Sequence, residues 1–464
     1  MARVNSSNGR CMAETSKSCF NNVGEPCSPI LNMASDHLFT IMLLLPAESI
    51  ISFSLTCKKM YAVTTSDALW EYVCKREWGT APADAIKASS SSGCSDQPPG
   101  GFPWSWIYKQ VAKVESVTSH RLLRLDTHSE IPSPRASHSL NFVSDCLVLF
   151  GGGCSGGRHL DDTWVAHIGC SHPKMATVKW KKVDSGTPSG RFGHTCVVIG
   201  DHLVLFAGIN DRGMRHNDTW VGHLVVDENA GIALQWRLLN VGSILPPPRG
   251  AHAACSINKR KMVIHGGIGV NGTRLGDTWV LDVSENLLFG SWWEVVAHPS
   301  PPPCSGHTLT TIGETKTVLF GGRGSGYEVM NDVWILLSSS SEVKWLQVSC
   351  ELSATPLPRV GHSATSIMGG KMLIYGGEDS NRHRKNDFWL LDVTGKGSVM
   401  WRRLKGKGYW PQCRSFHRAC AERTGRYVFV FGGMVDGVLQ PSEASGLMFD
   451  NDSFFLEVFS LKRK

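Results

Sequence analysis

A histidine recurs at His138, His194, His252, His307, His362 and His417, at separations of 56, 58, 55, 55 and 55 residues, and two other landmarks keep step with it. Paired small residues follow each histidine: Gly151-Gly152, Ala207-Gly208, Gly266-Gly267, Gly321-Gly322, Gly376-Gly377 and Gly432-Gly433. Aromatics come next, with Trp164, Trp220, Trp279, Trp334 and Trp389 each two residues after an aspartate (Asp162, Asp218, Asp277, Asp332, Asp387), and Asp452 and Phe454 in those places in the sixth copy. Three registers agreeing over six copies define a repeat unit. The fifth, Arg359 to Trp401, shows its content: an apolar run at Ser363–Met368, a turn at Gly369-Gly370, a second run at Lys371–Tyr375, a third strand at Asp387–Asp392 and a fourth beginning at Met400. Four short antiparallel strands cannot bury both their faces alone, so units of this kind stack side by side around an axis until the ring closes.

This pattern of apolar run, Gly-Gly and third-strand Trp at a period in the fifties resembles the kelch repeat, over about three quarters of the chain. The resemblance implies a β-propeller. The sixth unit runs out of sequence after its third strand, and His120–Leu125 matches the fourth-strand segments that begin at Trp180, Trp236, Trp293, Trp345 and Trp401. Residues 120–125 are therefore expected to complete the last blade and leave no open sheet edge. The fold class expected is mainly β: a six-bladed kelch propeller over 117–464, with repeats near 134–180, 188–236, 248–293, 303–345, 358–401 and 411–459, preceded by a small all-α domain.

Composition fits a loop-rich globular chain, with 42% hydrophobic residues, 48 Gly and 22 Pro. A net charge of +7 spread over 464 residues gives no concentrated basic face, so no nucleic-acid partner is expected. No long apolar run and no signal-peptide core are present, which predicts a soluble intracellular protein of cytoplasm or nucleus, away from membranes. The 15 cysteines, an odd number without a CxxC pair, read as reduced thiols; Cys11, Cys19 and Cys27 are spaced every eight residues, but residues 1–30 read as disordered. Residues 80–116 read as a linker, rich in Ala, Ser, Pro and Gly up to Pro103, with a short helix from Trp104 to Glu115.

Residues 31–79 are helical in pattern. Leu38, Ile41, Met42 and Leu45 fall at i, i+3, i+4 and i+7 behind a cap at Ser35 or Asp36, Pro46 ends that helix, and Ser66-Asp67 caps another over Ala68–Trp78. So small a segment cannot bury this much apolar surface by itself, which calls for a partner, unless it serves as a self-contained cap on the propeller. The order Leu-Leu-Leu-Pro-x-Glu-Ser-Ile-Ile-Ser-Phe-Ser-Leu-Thr-Cys-Lys-Lys-Met, followed by DALWEYVCKREWG, resembles the F-box. That resemblance implies docking on a Skp-type adaptor of a cullin-RING ubiquitin ligase through Leu38, Ile41, Leu45, Pro46, Ile50, Phe53, Leu55, Cys57 and Met60. Ala34-Ser35 stands where the family usually opens with Leu-Pro, and Met60 where it usually has Trp or Phe. The combination is similar to plant F-box/kelch proteins, including the F-box and kelch part of the Zeitlupe family; with about thirty residues ahead of the F-box, no light-sensing LOV domain and no flavin are expected.

No nucleophilic triad or phosphate loop stands out, and no cofactor is expected. The six histidines could converge on a metal around the axis, yet residues at a repeat position ordinarily serve the repeat. An iron-binding Glu-x-x-x-Asp-x-x-x-His motif of plant kelch specifier proteins is nearest matched at Glu328 and Asp332, with Leu336 where the histidine belongs. Binding is the better use of such a fold, at the face that gathers the loops between strands two and three and those joining successive blades. Arg135, Arg191, Arg249, Arg359 and Arg414 lie three residues before the histidines, with Cys304 interrupting the series. They either pair with carboxylates of an acidic target or bond loop carbonyls in their own blade. Arg382 and Arg384, in a basic loop, are the other candidates for target contact. The function these readings imply is a non-catalytic substrate receptor of an SCF-type ubiquitin ligase; a kelch interaction scaffold without a ligase is the alternative, and a small-molecule or metal-dependent kelch enzyme a third reading.

Overall fold

In the fifth repeat unit the strands run Ser363–Ile367, Lys371–Tyr375, Phe388–Asp392 and Met400–Gly408, within a few residues of the pattern's own boundaries. Gly369 and Gly370 turn the first hairpin with φ of 82° and 67°, a left-handed conformation that side chains other than Gly resist. The computed structural model describes residues 29–90, 101–124, 130–168, 177–184, 186–227, 231–313, 315–338, 343–348, 355–393, 399–436 and 447–461. The expected disorder of residues 1–28, with Cys11, Cys19 and Cys27, and the Ser/Gly-rich part of the linker at 91–100 lie outside them. The chain divides into two units, Met1–Val73 and Cys74–Lys464. Among the described residues no helix is long and apolar enough to cross a membrane.

The first unit contains helices α1 (Ser35–Leu44), α2 (Ala47–Ser54), α3 (Lys58–Thr64) and the start of α4 (Asp67–Trp78). Pro46 occupies the N-cap of α2, where its fixed φ suits the turn between helices. Ala34, rather than Ser35 or Asp36, is the N-cap of α1, and it offers no side-chain bond. Leu38, Met42, Ile50, Met60, Val63 and Trp70 form the buried interior, and the Trp70 indole donates to the Thr64 carbonyl at 2.7 Å.

The second unit opens with two helices. Thr80–Ser89, read above as linker, is α5: its alanines favour helix, Ala83 and Ile86 are fully buried, and Lys87 Nζ donates to the Phe102 carbonyl at 2.7 Å. Trp104–Ala112 is α6. The repeats follow as sheets. Units one to four stand as four separate sheets of four or five strands, whereas units five and six share one nine-stranded sheet, so six separate blades are not what the sheet count gives. The join is Ser116–Arg121, which pairs in parallel with Lys405–Gly408 at the end of the fifth unit and antiparallel with Phe454–Glu457, the third strand of the sixth.

The strand that complements the last unit therefore lies a few residues earlier than the 120–125 expected. Leu122 still donates its N–H to Ser453, but Leu123 and Arg124 leave to pair with Thr177 and Val178, and Leu125 is outside the described residues. The fourth-strand Trp that marks register elsewhere has no counterpart in residues 116–125, so the sequence pattern alone does not fix which of them pair.

A circle of backbone hydrogen bonds ties the units at their inner ends. The residue before each repeat histidine donates to its counterpart in the preceding unit: Ser137 to Phe416, Gly193 to Ser137, Ala251 to Gly193, Gly306 to Ala251, Gly361 to Gly306 and Phe416 to Gly361, at 2.6–3.0 Å. All six hold φ between 54° and 67°. Three are not glycine, so the closed circle must offset their left-handed strain. The hydrophobic core lies between the sheets: Phe206 and Val221 of unit two pack with Ile264, Trp279 and Trp292 of unit three, and Leu149 and Trp164 of unit one with Phe431 and Phe455 of unit six.

Removing residues 1–128 takes away the strand at Ser116–Arg121 and exposes the edge at Phe454–Glu457. We expect that truncation to be insoluble or to lose its cooperative thermal transition; a soluble product with a single sharp melt would show that the strand is dispensable.

Candidate functional site

The five repeat arginines are among the most deeply buried side chains, with Arg135, Arg249, Arg359 and Arg414 at 0% exposure and Arg191 at 1%. Each has all three guanidinium nitrogens engaged, and Arg135 and Arg191 use all five N–H groups. Arg135 Nη1 and Nη2 donate to Asp162 Oδ1 and Oδ2 at 2.6 and 3.0 Å, Nη1 also to the Gly151 carbonyl at 3.0 Å, and Nε to the Ser133 carbonyl at 3.0 Å. The same carboxylate accepts the Trp164 indole N–H at 2.7 Å. This Arg–Asp–Trp clamp recurs as Arg191–Asp218–Trp220, Arg249–Asp277–Trp279 and Arg359–Asp387–Trp389. In unit six, Arg414 reaches Asp450 and Asp452 and lies over the Phe454 ring instead. Burial alone would raise the carboxyls of Asp162, Asp218, Asp277 and Asp387, but the arginine and the indole N–H outweigh it and hold them below the usual range. The expectation that these arginines meet a target is therefore corrected: all five are buried, and every guanidinium nitrogen already has a partner within the protein. Unit four lacks the clamp. Cys304 replaces the arginine, and the buried Trp334 Nε1 has no partner.

The repeat histidines are interlocked with the glycine pairs. A Cβ on Gly376 would stand 2.7 Å from the Arg414 carbonyl and 2.9 Å from the His417 ring, so glycine gives the next unit's histidine its room, and unit two alone carries an alanine, Ala207, at that place. His252, His362 and His417 bond the hydroxyls of Thr195, Thr308 and Ser363 in the unit before, at 2.7–2.9 Å. Burial, reinforced by the neighbouring arginines, lowers their proton affinity well below the ordinary imidazole value, so the rings are neutral. The six do not assemble an axial metal site. Among the described residues the one set of three donors close enough is His265, Cys304 and His307, of which only His307 belongs to the series. Leu336, at the histidine place of the iron motif, is a buried core residue.

Two cavities lie along the axis. One, of about 210 Å³, is bordered by His194, His252, His307, His362 and Arg418. The other, of about 410 Å³, rests on the hydrogen-bonded circle and opens among Arg274, Arg323, Arg382, Arg384 and Arg418, with Glu378 as its acidic member. Antiparallel order explains the gathering: the loops between strands two and three and those between units share this end. Arg382 is exposed, with φ of 63°. Arg384 is pinned by Glu378 at 3.6 Å and by Asp436, while Ser415 donates to Glu378 at 2.7 Å. Arg418 sits where other units carry Ser139, Thr195, Ala253, Thr308 or Ser363, and burial pushes its guanidinium down to about 10. Arg274, Arg323 and Arg418 were missed in the sequence; Arg418 was findable as a charge standing at a hydroxyl position of the repeat.

In the helical unit, Leu38, Ile50 and Met60 are core residues and present no surface to an adaptor, which corrects their assignment. Ile41, Leu45, Phe53 and Cys57 are half-buried and Pro46 is exposed. Leu55 is 83% exposed, and it is joined by Leu44 at 80% and Tyr61 at 59%, two apolar residues the motif did not single out.

Comparison with known proteins agrees with this division. The KLHDC2/KLHL20/DRC7 Kelch-repeats domain model matches residues 107–313, 232–355 and 306–459, and the F-box domain model matches 30–72. An F-box/kelch-repeat protein of Arabidopsis thaliana is 53% identical over 462 residues, 94% of each chain. Adagio-like protein 1 of Oryza sativa subsp. japonica is 29% identical over 85% of this chain, which spans 60% of that protein's length, and Adagio protein 3 of Arabidopsis thaliana is 27% identical over 91% of this chain and 65% of its own. Among solved structures, that of YjhT is similar in fold, with a TM-score of 0.50 over 70% of this chain and 95% of that one at 15% identity.

If the clamp holds each unit together, Asp162→Ala should destabilise the protein by about 3–5 kcal/mol, because it strands a buried guanidinium. Asp332→Ala, in the unit without an arginine, should cost less than about 1 kcal/mol. Chemical denaturation of the two variants checks this, and equal losses would refute it.

Proposed function

The chain belongs to the F-box/kelch-repeat proteins, and from that premise we propose that it is the substrate-recognition subunit of an SCF-type E3 ubiquitin ligase. The observation that carries the proposal is the union of two surfaces in one chain. An F-box-matching helical unit leaves Leu44, Leu55 and Tyr61 in water, and a kelch propeller carries an arginine-lined mouth. Isolated apolar residues on a small domain are ordinary, but several large ones together with half-buried Leu45 and Phe53 suit a partner interface. The adaptor docks there and brings in the cullin-RING assembly.

We count the nine-stranded sheet as two blades, giving a six-bladed propeller; the closed circle of hydrogen bonds supports that count. The target enters at the mouth as an acidic segment, where Arg274, Arg323, Arg382, Arg384 and Arg418 outnumber Glu378. The chain supplies no catalytic group. It raises the concentration of target lysines near the charged conjugating enzyme, in cytoplasm or nucleus, where both partners are available to it.

A scaffold that recruits no ligase is the alternative, favoured by Ala34-Ser35 where the F-box usually has Leu-Pro. Adaptor binding separates the two. The full chain should bind a Skp-type adaptor, and a Leu45→Asp, Pro46→Ala double variant with an unchanged melting curve should bind about 30-fold more weakly or worse, the effect of losing one interface anchor. No binding by the folded wild-type chain would favour the scaffold.

A further inference from the structure

The repeat breaks at three positions at once where unit three meets unit four. The residue before the small-residue pair is aromatic elsewhere (Phe150, Phe206, Phe320, Tyr375, Phe431) and packs against the next unit's histidine; in unit three it is His265. The clamp arginine is replaced by Cys304. The residue after the preceding unit's histidine carries the hydroxyl that hydrogen-bonds to His252, His362 and His417, but for His307 it is Ala253, which leaves the His307 Nε2 atom to another partner.

Together these changes bring a thiol and two imidazoles into contact. His265 Nδ1 lies 3.2 Å from His307 Nε2, Cys304 Sγ lies 4.0 Å from His265 Nδ1, and one donor atom from each of the three falls within 4.8 Å of the others. His265 and Cys304 are completely buried and His307 is 5% exposed. In a tetrahedral site with the usual Zn–N and Zn–S lengths, donor atoms stand about 3.3 Å (N to N) and about 3.5 Å (S to N) apart. The two spacings made by His265 lie within about half an ångström of that, and the Cys304 and His307 donors, within 4.8 Å of each other, close on a cation by moving together.

We propose that His265, Cys304 and His307 form a binding site for one thiophilic d10 cation, Zn²⁺ in the first instance, clasping the third sheet to the fourth where the arginine clamp is missing. Sulfur and imidazole nitrogen are the donors that select such an ion over Mg²⁺ or Ca²⁺. The second ring nitrogen of His265, Nε2, is buried and makes no hydrogen bond to a described residue, while Nδ1 is the atom that faces His307 and Cys304. His307 borders both axial cavities, which provides a route for the ion and room for a water as fourth ligand. Burial, with Asp332 adding to it and Arg274 opposing, pushes the Cys304 thiol up to about 12, so the cation must displace a proton as it binds; Asp332, with no arginine at the repeat position, is left to balance its charge.

Full-length protein without a polyhistidine tag, stripped with chelator, should take up one more equivalent of Co²⁺ than a Cys304→Ser variant, with a sulfur-to-cobalt charge-transfer band and intense tetrahedral d–d absorption that the variant lacks. Zn²⁺ should displace the Co²⁺ and raise the melting temperature of the wild type only. A His265→Phe, Cys304→Arg double variant restores the repeat residues, so it should fold and yet lose the equivalent. Uptake that is the same in wild type and both variants, or a wild type without a thiolate band, would overturn the proposal; metal on Cys11, Cys19 or Cys27 would appear as the former.

Discussion

The bidentate bond between the arginine at the head of a unit's first strand and the aspartate at the head of its third is the interaction on which the rest depends. It joins residues 27 or 28 positions apart, engages a buried guanidinium through both its Nη atoms, and shares one carboxylate oxygen with the indole that packs between sheets. A buried ion pair contributes little net stability unless all its hydrogen bonds are made. Here every guanidinium nitrogen is engaged, with the first carbonyl of the small-residue pair and a loop carbonyl two residues upstream as the further acceptors. The same small residue that accepts this bond, glycine except for Ala207 in unit two, borders the next unit's histidine. Clamp, glycine pair and histidine thus form one interlocking device, which explains why they keep step along the chain.

Function has to be sought where this device changes. Residues consumed by the repeat are buried, and the five arginines that look basic in the sequence contribute no charge to the surface. Charge is left at positions the repeat does not prescribe: Arg382 in a variable loop, Arg418 at a hydroxyl position, Arg274 and Arg323 at the ends of strands. The same logic identifies the junction of units three and four, where an aromatic, an arginine and a hydroxyl are lost together and a Cys-His-His cluster stands in their place.

Much of this was legible in the sequence. Strand boundaries, the hairpin glycines and the order of units followed from period and turn chemistry, and the helical segment declared itself through its i, i+3, i+4 spacing. The clamp was half legible: Arg359 and Asp387 were each recognised as periodic, and since first and third strands start at the same end of an antiparallel unit, their meeting could have been inferred. Burial within the helical unit was less so. Leu38, Ile41, Met42 and Leu45 share one face by spacing, yet Leu38 and Met42 are buried while Ile41 and Leu45 remain half-exposed, a division set by where α3 packs. Helix α5 was missed because Ala, Ser and Pro suit linkers as well as a helix's first turn and exposed face. Ser116–Arg121 was misplaced because no Trp marks its register.

The interlock makes a strong demand on pH, since its histidines are buried neutral and its aspartates buried charged. An unfolded chain takes up protons on histidine near pH 6.5 and on aspartate near pH 3.9, while the folded chain resists both. Acid therefore favours unfolding, first through the histidines and then through the aspartates. The most direct measurement is thermal unfolding of the full chain from pH 8.5 to pH 4. A melting temperature that is level above about pH 7 and falls steadily from about pH 6.5 downward is the predicted result; one that stays level to pH 4.5 would mean that the histidines accept protons in the folded state, contradicting a buried neutral interlock.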